Sequence, residues 1–131
     1  MARLKLAGLA FRNLVSRAAT LQYPREPADV EEGFRGAHYV DLMKCTGCSL
    51  CAIECPADAI KMAKIPEGVA TSKANVRRLY PLINYGRCVF CYRCVAVCPF
   101  NAFVVTNRFE LSGPSRPDSS EQTLATGRVT G

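Results

Sequence analysis

Apolar and polar positions alternate in four short stretches of this chain, and a fifth stretch near its start follows a helical period. "HYVDLM" (His38–Met43), "AIKMA" (Ala59–Ala63), "LYPLIN" (Leu79–Asn84) and "AFVVT" (Ala102–Thr106) read as short strands by alternation and β-branching. On a helical wheel Leu4, Ala7, Phe11, Leu14, Val15, Ala18 and Leu21 share one face. Lys5, Arg12, Asn13, Ser16 and Arg17 share the other, and Leu6 and Leu9 break the pattern. The period predicts a basic amphipathic helix over Arg3–Leu21, suited to a membrane interface or to packing on its own domain or a partner subunit. Residues 23–36 hold two prolines, two glycines and six charges, and read as an extended linker because Pro24 and Pro27 disfavour helix. Residues 112–131 are small, polar and proline-punctuated, and are expected to be a flexible tail or a strap over a partner. The expected organisation is therefore helix 1–22, linker 23–36, a strand-rich domain 37–111 and tail 112–131.

That domain contains an internal repeat. C-x-x-C-x-x-C-x-x-x-C-P runs from Cys45 to Pro56 and again from Cys88 to Pro99, and uses all eight cysteines of the chain. Each half then reads strand, cysteine loop, short helix, strand. Three cysteines at steps of three can turn around one side of an iron–sulfur core, while the fourth points elsewhere. Pro56 and Pro99 fix φ just past the fourth Cys and bias it away from the helical region. Gly47, with small Thr46 and Ser49 beside it, lets backbone N–H groups approach the sulfurs, and such hydrogen bonds tune a cluster's potential. Metal binding is expected to be part of folding, since few apolar side chains remain for a core.

Other uses of eight cysteines fit less well. A structural zinc site usually takes two C-x₂-C pairs separated by a longer stretch, without a third Cys at the same step and a following Cys-Pro. Disulfides require a secreted chain, and the N-terminus does not read as a signal peptide because Arg12 and Arg17 interrupt the apolar run. No run of eighteen apolar residues predicts a membrane-spanning helix, so the chain is expected inside the cell.

Charge changes the picture only slightly. The formal charge is +6, from 17 Lys and Arg against 11 Asp and Glu. Two clusters carrying about −2 each would bring it to about +2, so part of the basic surplus offsets them. Aromatics are few and no RNA- or DNA-binding signature is present, which argues against nucleic acid. Catalytic machinery is also missing: there is no G-x-G-x-x-G or P-loop, and the one histidine, His38, reads as structural. Glu54 and Asp58 read as helix-end or surface charges. The motifs differ: Phe90, Tyr92 and Arg93 stand where the first has Gly47, Ser49 and Leu50, and Arg87 and Arg108 lie nearby. Positive charge near a cluster favours its reduced form, so unequal potentials are expected.

The double motif resembles that of bacterial-type two-cluster ferredoxins, in which the fourth Cys ligates the other cluster. The resemblance implies an α+β fold, a pseudo-twofold βαβ repeat holding two 4Fe–4S clusters. Cluster one would take Cys45, Cys48, Cys51 and Cys98, and cluster two Cys88, Cys91, Cys94 and Cys55. "FRGAHYV", "CTGCSLCAIECPADAI", "YPLINYGRCVFC" and "TNRFELS", with "LQYP" after the basic helix, resemble the ferredoxin-like subunit I of complex I, NADH:quinone oxidoreductase. The likeness covers roughly Leu4 to Ser112, and a related subunit occurs in membrane-bound hydrogenases. It implies an electron-transfer subunit that catalyses nothing alone, relays single electrons in a peripheral arm, and contacts other cluster-bearing and quinone-facing subunits. Residues 3–21 would rest near the membrane arm, on the cytoplasmic side or its organelle equivalent. The alternatives are the equivalent subunit of an energy-converting hydrogenase, a free soluble ferredoxin, and a zinc-stabilised interaction module. Two departures stand out. The family usually has Gly where this chain has Tyr92, and Lys64–Arg78, with Lys64, Lys73, Arg77 and Arg78, lengthens the connection between motifs as a solvated or partner-facing loop.

Overall fold

The four predicted strands form two antiparallel ribbons. The computed structural model describes residues 2–127, with side chains from residue 6 onward. The side chains of Leu4 and Lys5, and residues 128–131 of the tail, lie outside the described residues. The chain divides into two units, Met1–Glu31 and Glu32–Gly131.

In the first unit α1 spans Ala2–Val15 and stops six residues short of the expected Leu21. Local hydrogen bonding explains the stop. Ser16 donates its hydroxyl to Asn13 O at 3.1 Å, and side-chain bonds of this kind compete with continued helix. Arg12 in the last turn suits the negative end of the helix dipole.

In the second unit β1 (His38–Val40) pairs with β4 (Phe103–Val105) in the register His38 to Val105. β2 (Ile60–Lys64) pairs with β3 (Leu79–Ile83), with Met62 opposite Pro81. Two short helices follow the cysteine loops, α2 (Leu50–Ile53) and α3 (Arg93–Val97). β1 ends early because Asp41 turns the chain: its carboxylate accepts the Met43 N–H and its carbonyl that of Cys45. Pro81 is tolerated inside β3 because Ile83, two residues on, sends its N–H away from β2 to Ser119. The N–H that Pro81 lacks would face the same open edge.

The expected flexible tail is corrected by the structure. α4 (Ser120–Thr126) packs against β1, with Ser119 and Thr123 fully buried. Three hydroxyls of this segment serve the open ribbon edges. Ser119 Oγ accepts the Ile83 N–H at 3.0 Å, Thr123 Oγ1 that of Val40 at 3.3 Å and Thr126 Oγ1 that of Leu42 at 3.1 Å. Buried strand edges need such partners. Hydropathy misses this element because its inward face is hydroxyl rather than apolar, although positions 119, 123 and 126 share the i, i+4, i+7 spacing of one helix face.

The connection after β2 is built rather than loose. Ile65 is buried and its N–H donates to Arg78 O at 2.8 Å. Arg78 donates to Pro66 O and Val69 O, and Asn75 pairs with both backbone groups of Leu79. Val76 remains exposed. The core is small and mixes aliphatic side chains with thiols: Ile60, Ile83 and Tyr85 pack with Cys51 and Cys94, and Val40 and Ala102 with Cys45. Leu42, Ile65 and Tyr80 make a third cluster, sealed in part by Leu124 of α4.

Candidate metal centre

The repeat is exact in its spacing. Cys45 and Cys88, Cys48 and Cys91, Cys51 and Cys94, and Cys55 and Cys98 each lie 43 residues apart. The backbone follows the same offset. Left-handed residues occur in matched pairs: Gly47 with Phe90 (φ 68° and 51°), Ser49 with Tyr92 (69° and 61°), and Asp58 with Asn101 (47° and 45°). Alternating right- and left-handed residues turn successive N–H groups to one side and make a concavity for anions. Their targets here are sulfurs. The N–H of Ala59 donates to Cys55 Sγ at 3.3 Å and that of Ala102 to Cys98 Sγ at 3.5 Å. Phe90 N–H reaches Cys88 Sγ at 3.4 Å, as the Gly47 backbone does Cys45.

The eight cysteines are sorted between two cavities. One is lined by Cys45, Cys48, Cys51 and Cys98, the other by Cys88, Cys91, Cys94 and Cys55. Each therefore gathers three sulfurs of one motif and the fourth of the other. The first cavity also has the buried Thr46 hydroxyl on its wall, with no hydrogen-bond partner. Gly47 lies there too. Besides its positive φ, a Cβ on it would meet Asn75 Oδ1 at 2.7 Å. All eight cysteines are free thiols, gathered around the two cavities. Among the described residues no three metal-binding side chains converge on the position of a single ion, whereas a zinc site needs four ligands at about 2.0–2.3 Å. Four thiols spread around a cavity, with N–H donors at their sulfurs, fit the larger 4Fe–4S core.

Burial sets the electrostatics. It pushes the Cys51 and Cys94 thiols up to about 12, with neighbouring cysteines adding to the rise. Cys45 and Cys88 are raised mainly by burial as well, against the lowering effect of their backbone N–H partners. Thiols gathered four to a cavity, with Cys45, Cys51 and Cys94 buried, are poor company as free anions, and iron would supply the compensating charge.

The two cavities differ in their walls. Arg93 pairs with Glu54 at 2.9 Å across the motifs, and Arg87 with Asp58 at 3.7 Å. Both pairs are exposed and contribute little stability. They also neutralise two of the cations expected to separate the cluster potentials. Tyr92 donates its hydroxyl to Gly36 O at 2.8 Å, and the Arg35 guanidinium lies 5.9 Å from its ring centre. A Cβ on Gly36 would run into the backbone of Thr106 and Arg108. His38 is fully buried and places Nε2 3.4 Å from Cys94 Sγ, a contact the sequence did not signal. Burial lowers its pKa, with the Gly36 backbone opposing.

Residues 44–102 match the model of the 4Fe-4S dicluster domain. NADH-quinone oxidoreductase subunit I 2 of Geobacter metallireducens is 32% identical over 114 residues, covering 84% of both chains. The chain belongs to the NADH-quinone oxidoreductase subunit I family. NAD(P)H-quinone oxidoreductase subunit I of Gloeobacter violaceus is 30% identical over 122 residues, 93% of this chain and 57% of that protein. A subunit I 2 of Symbiobacterium thermophilum is 36% identical over 113 residues, 79% of this chain and 45% of its own length. The chain thus spans about half the length of two of these relatives and most of the third. Among solved structures, a chain of the membrane-bound sulfane sulfur reductase, an archaeal respiratory membrane complex, superposes with a TM-score of 0.60 at 32% identity. That match covers 92% of this chain and 59% of the other. Family membership carries the cofactor with it: this is a dicluster domain with eight cysteines for two 4Fe–4S clusters.

Proposed function

We propose that the chain relays single electrons inside a membrane-associated oxidoreductase of the complex I type. Cys45, Cys48, Cys51 and Cys98 hold one 4Fe–4S cluster, and Cys88, Cys91, Cys94 and Cys55 the other. The observation that carries this is the three-plus-one sorting of thiols between two cavities. When bound, the clusters supply one-electron carriers; the protein's residues do the rest. Thiolates fix the iron, backbone N–H groups offset the negative charge on sulfur, and apolar walls keep water out. Leu50 and Phe100 line the first cavity and are exposed, as is Cys48, which supports docking of a neighbouring redox subunit at that end.

A pseudo-twofold repeat accounts for the strand registers. Shifting by 43 residues carries the pair His38–Val105 onto Pro81–Met62 and Val40–Phe103 onto Ile83–Ile60, once the halves are exchanged. The first unit acts as an amphipathic anchor at the membrane arm, on its cytoplasmic face. No described helix is long and apolar enough to cross a membrane, while Phe11, Leu14, Val15 and Leu21 are exposed beside Arg12 and Arg17. The likeness to a sulfur-reducing respiratory complex favours a second acceptor class, in which electrons end elsewhere than on quinone.

Purification of the chain from its native membranes tests the assignment. The expected result is co-purification with membrane subunits, about eight iron per chain and no zinc. A detergent-independent monomer, or stoichiometric zinc, would overturn it.

A further inference from the structure

The 43-residue offset places Pro81 where the other half has His38. Both residues line their cavities, Pro81 the one around Cys51 and His38 the one around Cys94. The two cluster sites are therefore matched in thiols and backbone donors but differ at this wall position. One carries a side chain without a donor, the other an imidazole 3.4 Å from sulfur.

The ring's protonation follows from its surroundings. His38 Nδ1 is buried with no hydrogen-bond partner. A neutral imidazole has one N–H. Nε2 lies 3.4 Å from Cys94 Sγ and is the ring nitrogen placed to donate to it. Packing holds the ring in place. Its centroid lies 4.9 Å from that of Tyr92, and 6.0 to 6.3 Å from those of Phe103, Phe90 and Tyr85. Tyr85 also donates its hydroxyl to His38 O at 2.7 Å, fixing the backbone.

We propose that His38 is a potential-setting residue: its Nε2–H donates to the Cys94 thiolate and raises the reduction potential of that cluster above its twin, which has Pro81 instead. The inference rests on the two-cluster assignment above. A hydrogen bond to a ligating sulfur stabilises the form with more negative charge, which is the reduced one. The exposed cation pairs are screened and already neutralised, so a buried donor at 3.4 Å is the stronger source of asymmetry.

Potentiometric EPR on the 131-residue chain carrying its clusters tests this, with iron content measured in parallel. His38→Leu is expected to lower the higher of the two midpoints by about tenfold in the reduction equilibrium, about 59 mV, and to leave the lower one in place. His38→Gln, which keeps an N–H of similar reach, is expected to retain most of the wild-type value. With eight iron retained, unmoved midpoints in His38→Leu, a shift of the lower centre, or equal shifts in both variants would overturn the proposal. Should His38→Leu lose iron, the wild-type chain still decides. His38 is the only histidine, so ¹⁵N-histidine labelling reports on it alone. Pulsed EPR is expected to show ¹⁵N coupling to the higher-potential centre, and coupling to the other or to neither refutes the proposal. Fewer than two clusters in the wild type would instead strike down the cluster assignment itself.

Discussion

Stripping the iron with a chelator under reducing conditions is expected to unfold residues 32–127. The fold has two ribbons of two strands each, and such ribbons are marginal alone. Cys45, Cys51 and Cys94 sit inside the apolar clusters that join them, so losing the metal removes the centre of the core. Loss of far-UV circular dichroism and of a cooperative melt would follow. The pH dependence has an opposite sign in the two states. The unfolded chain holds thiol protons below about 8.5 to 9 and the iron-loaded chain holds none on its ligands. The loaded form therefore gains stability as pH rises from 6 to about 8.5, then levels off. A folded chain with free thiols would behave in reverse. Its Cys51 and Cys94 thiols, raised from 9.0 to about 12, add stability that is present below 9 and lost as pH climbs toward 12. Melting curves across pH 6 to 10 distinguish the two.

Gly47→Val is expected to abolish the first cluster and spare the second. Gly47 has φ +68°, a region that costs an L-residue about 1–2 kcal/mol and a β-branched one more. Its new Cβ would lie 2.7 Å from Asn75 Oδ1 and 3.0 Å from Leu79 O. Asn75 cannot retreat cheaply, because it is buried and bonds both backbone groups of Leu79. The strain falls on the loop whose Gly47 N–H serves Cys45. Iron is expected to drop from about eight to about four per chain, with the surviving centre keeping its spectrum. Unchanged iron would mean that the loop is more pliant than its contacts imply.

The cysteines, the four strands and the family were legible because each has a short-range signature: fixed spacing, β-branched alternation, and quoted motifs such as "CTGCSLCAIECP". Four features were not. α4 hides its helix face behind Ser119, Thr123 and Thr126, which hydropathy scores as loop. The length of α1 depends on Ser16 capping Asn13, a local bond that periodicity ignores. Asn75 and Arg78 turn an apparently solvated connection into a closed one through backbone partners far too specific to read from composition. His38 reaches Cys94 across 56 residues of chain, so only the folded ribbons bring them together. Tyr92 keeps a left-handed φ of 61°, as its counterpart Ser49 does at 69°, while its hydroxyl donates to Gly36 O.

Exchange of one sulfur tests the crossed cage most directly. Cys55 belongs in sequence to the first motif but lines the cavity of Cys88, Cys91 and Cys94. In Cys55→Ser, Mössbauer and EPR spectra of the iron-loaded chain should show the cluster at Cys88, Cys91 and Cys94 lost or altered, and the one at Cys45, Cys48 and Cys51 intact. Damage confined instead to the cluster of Cys45, Cys48 and Cys51 would contradict the account.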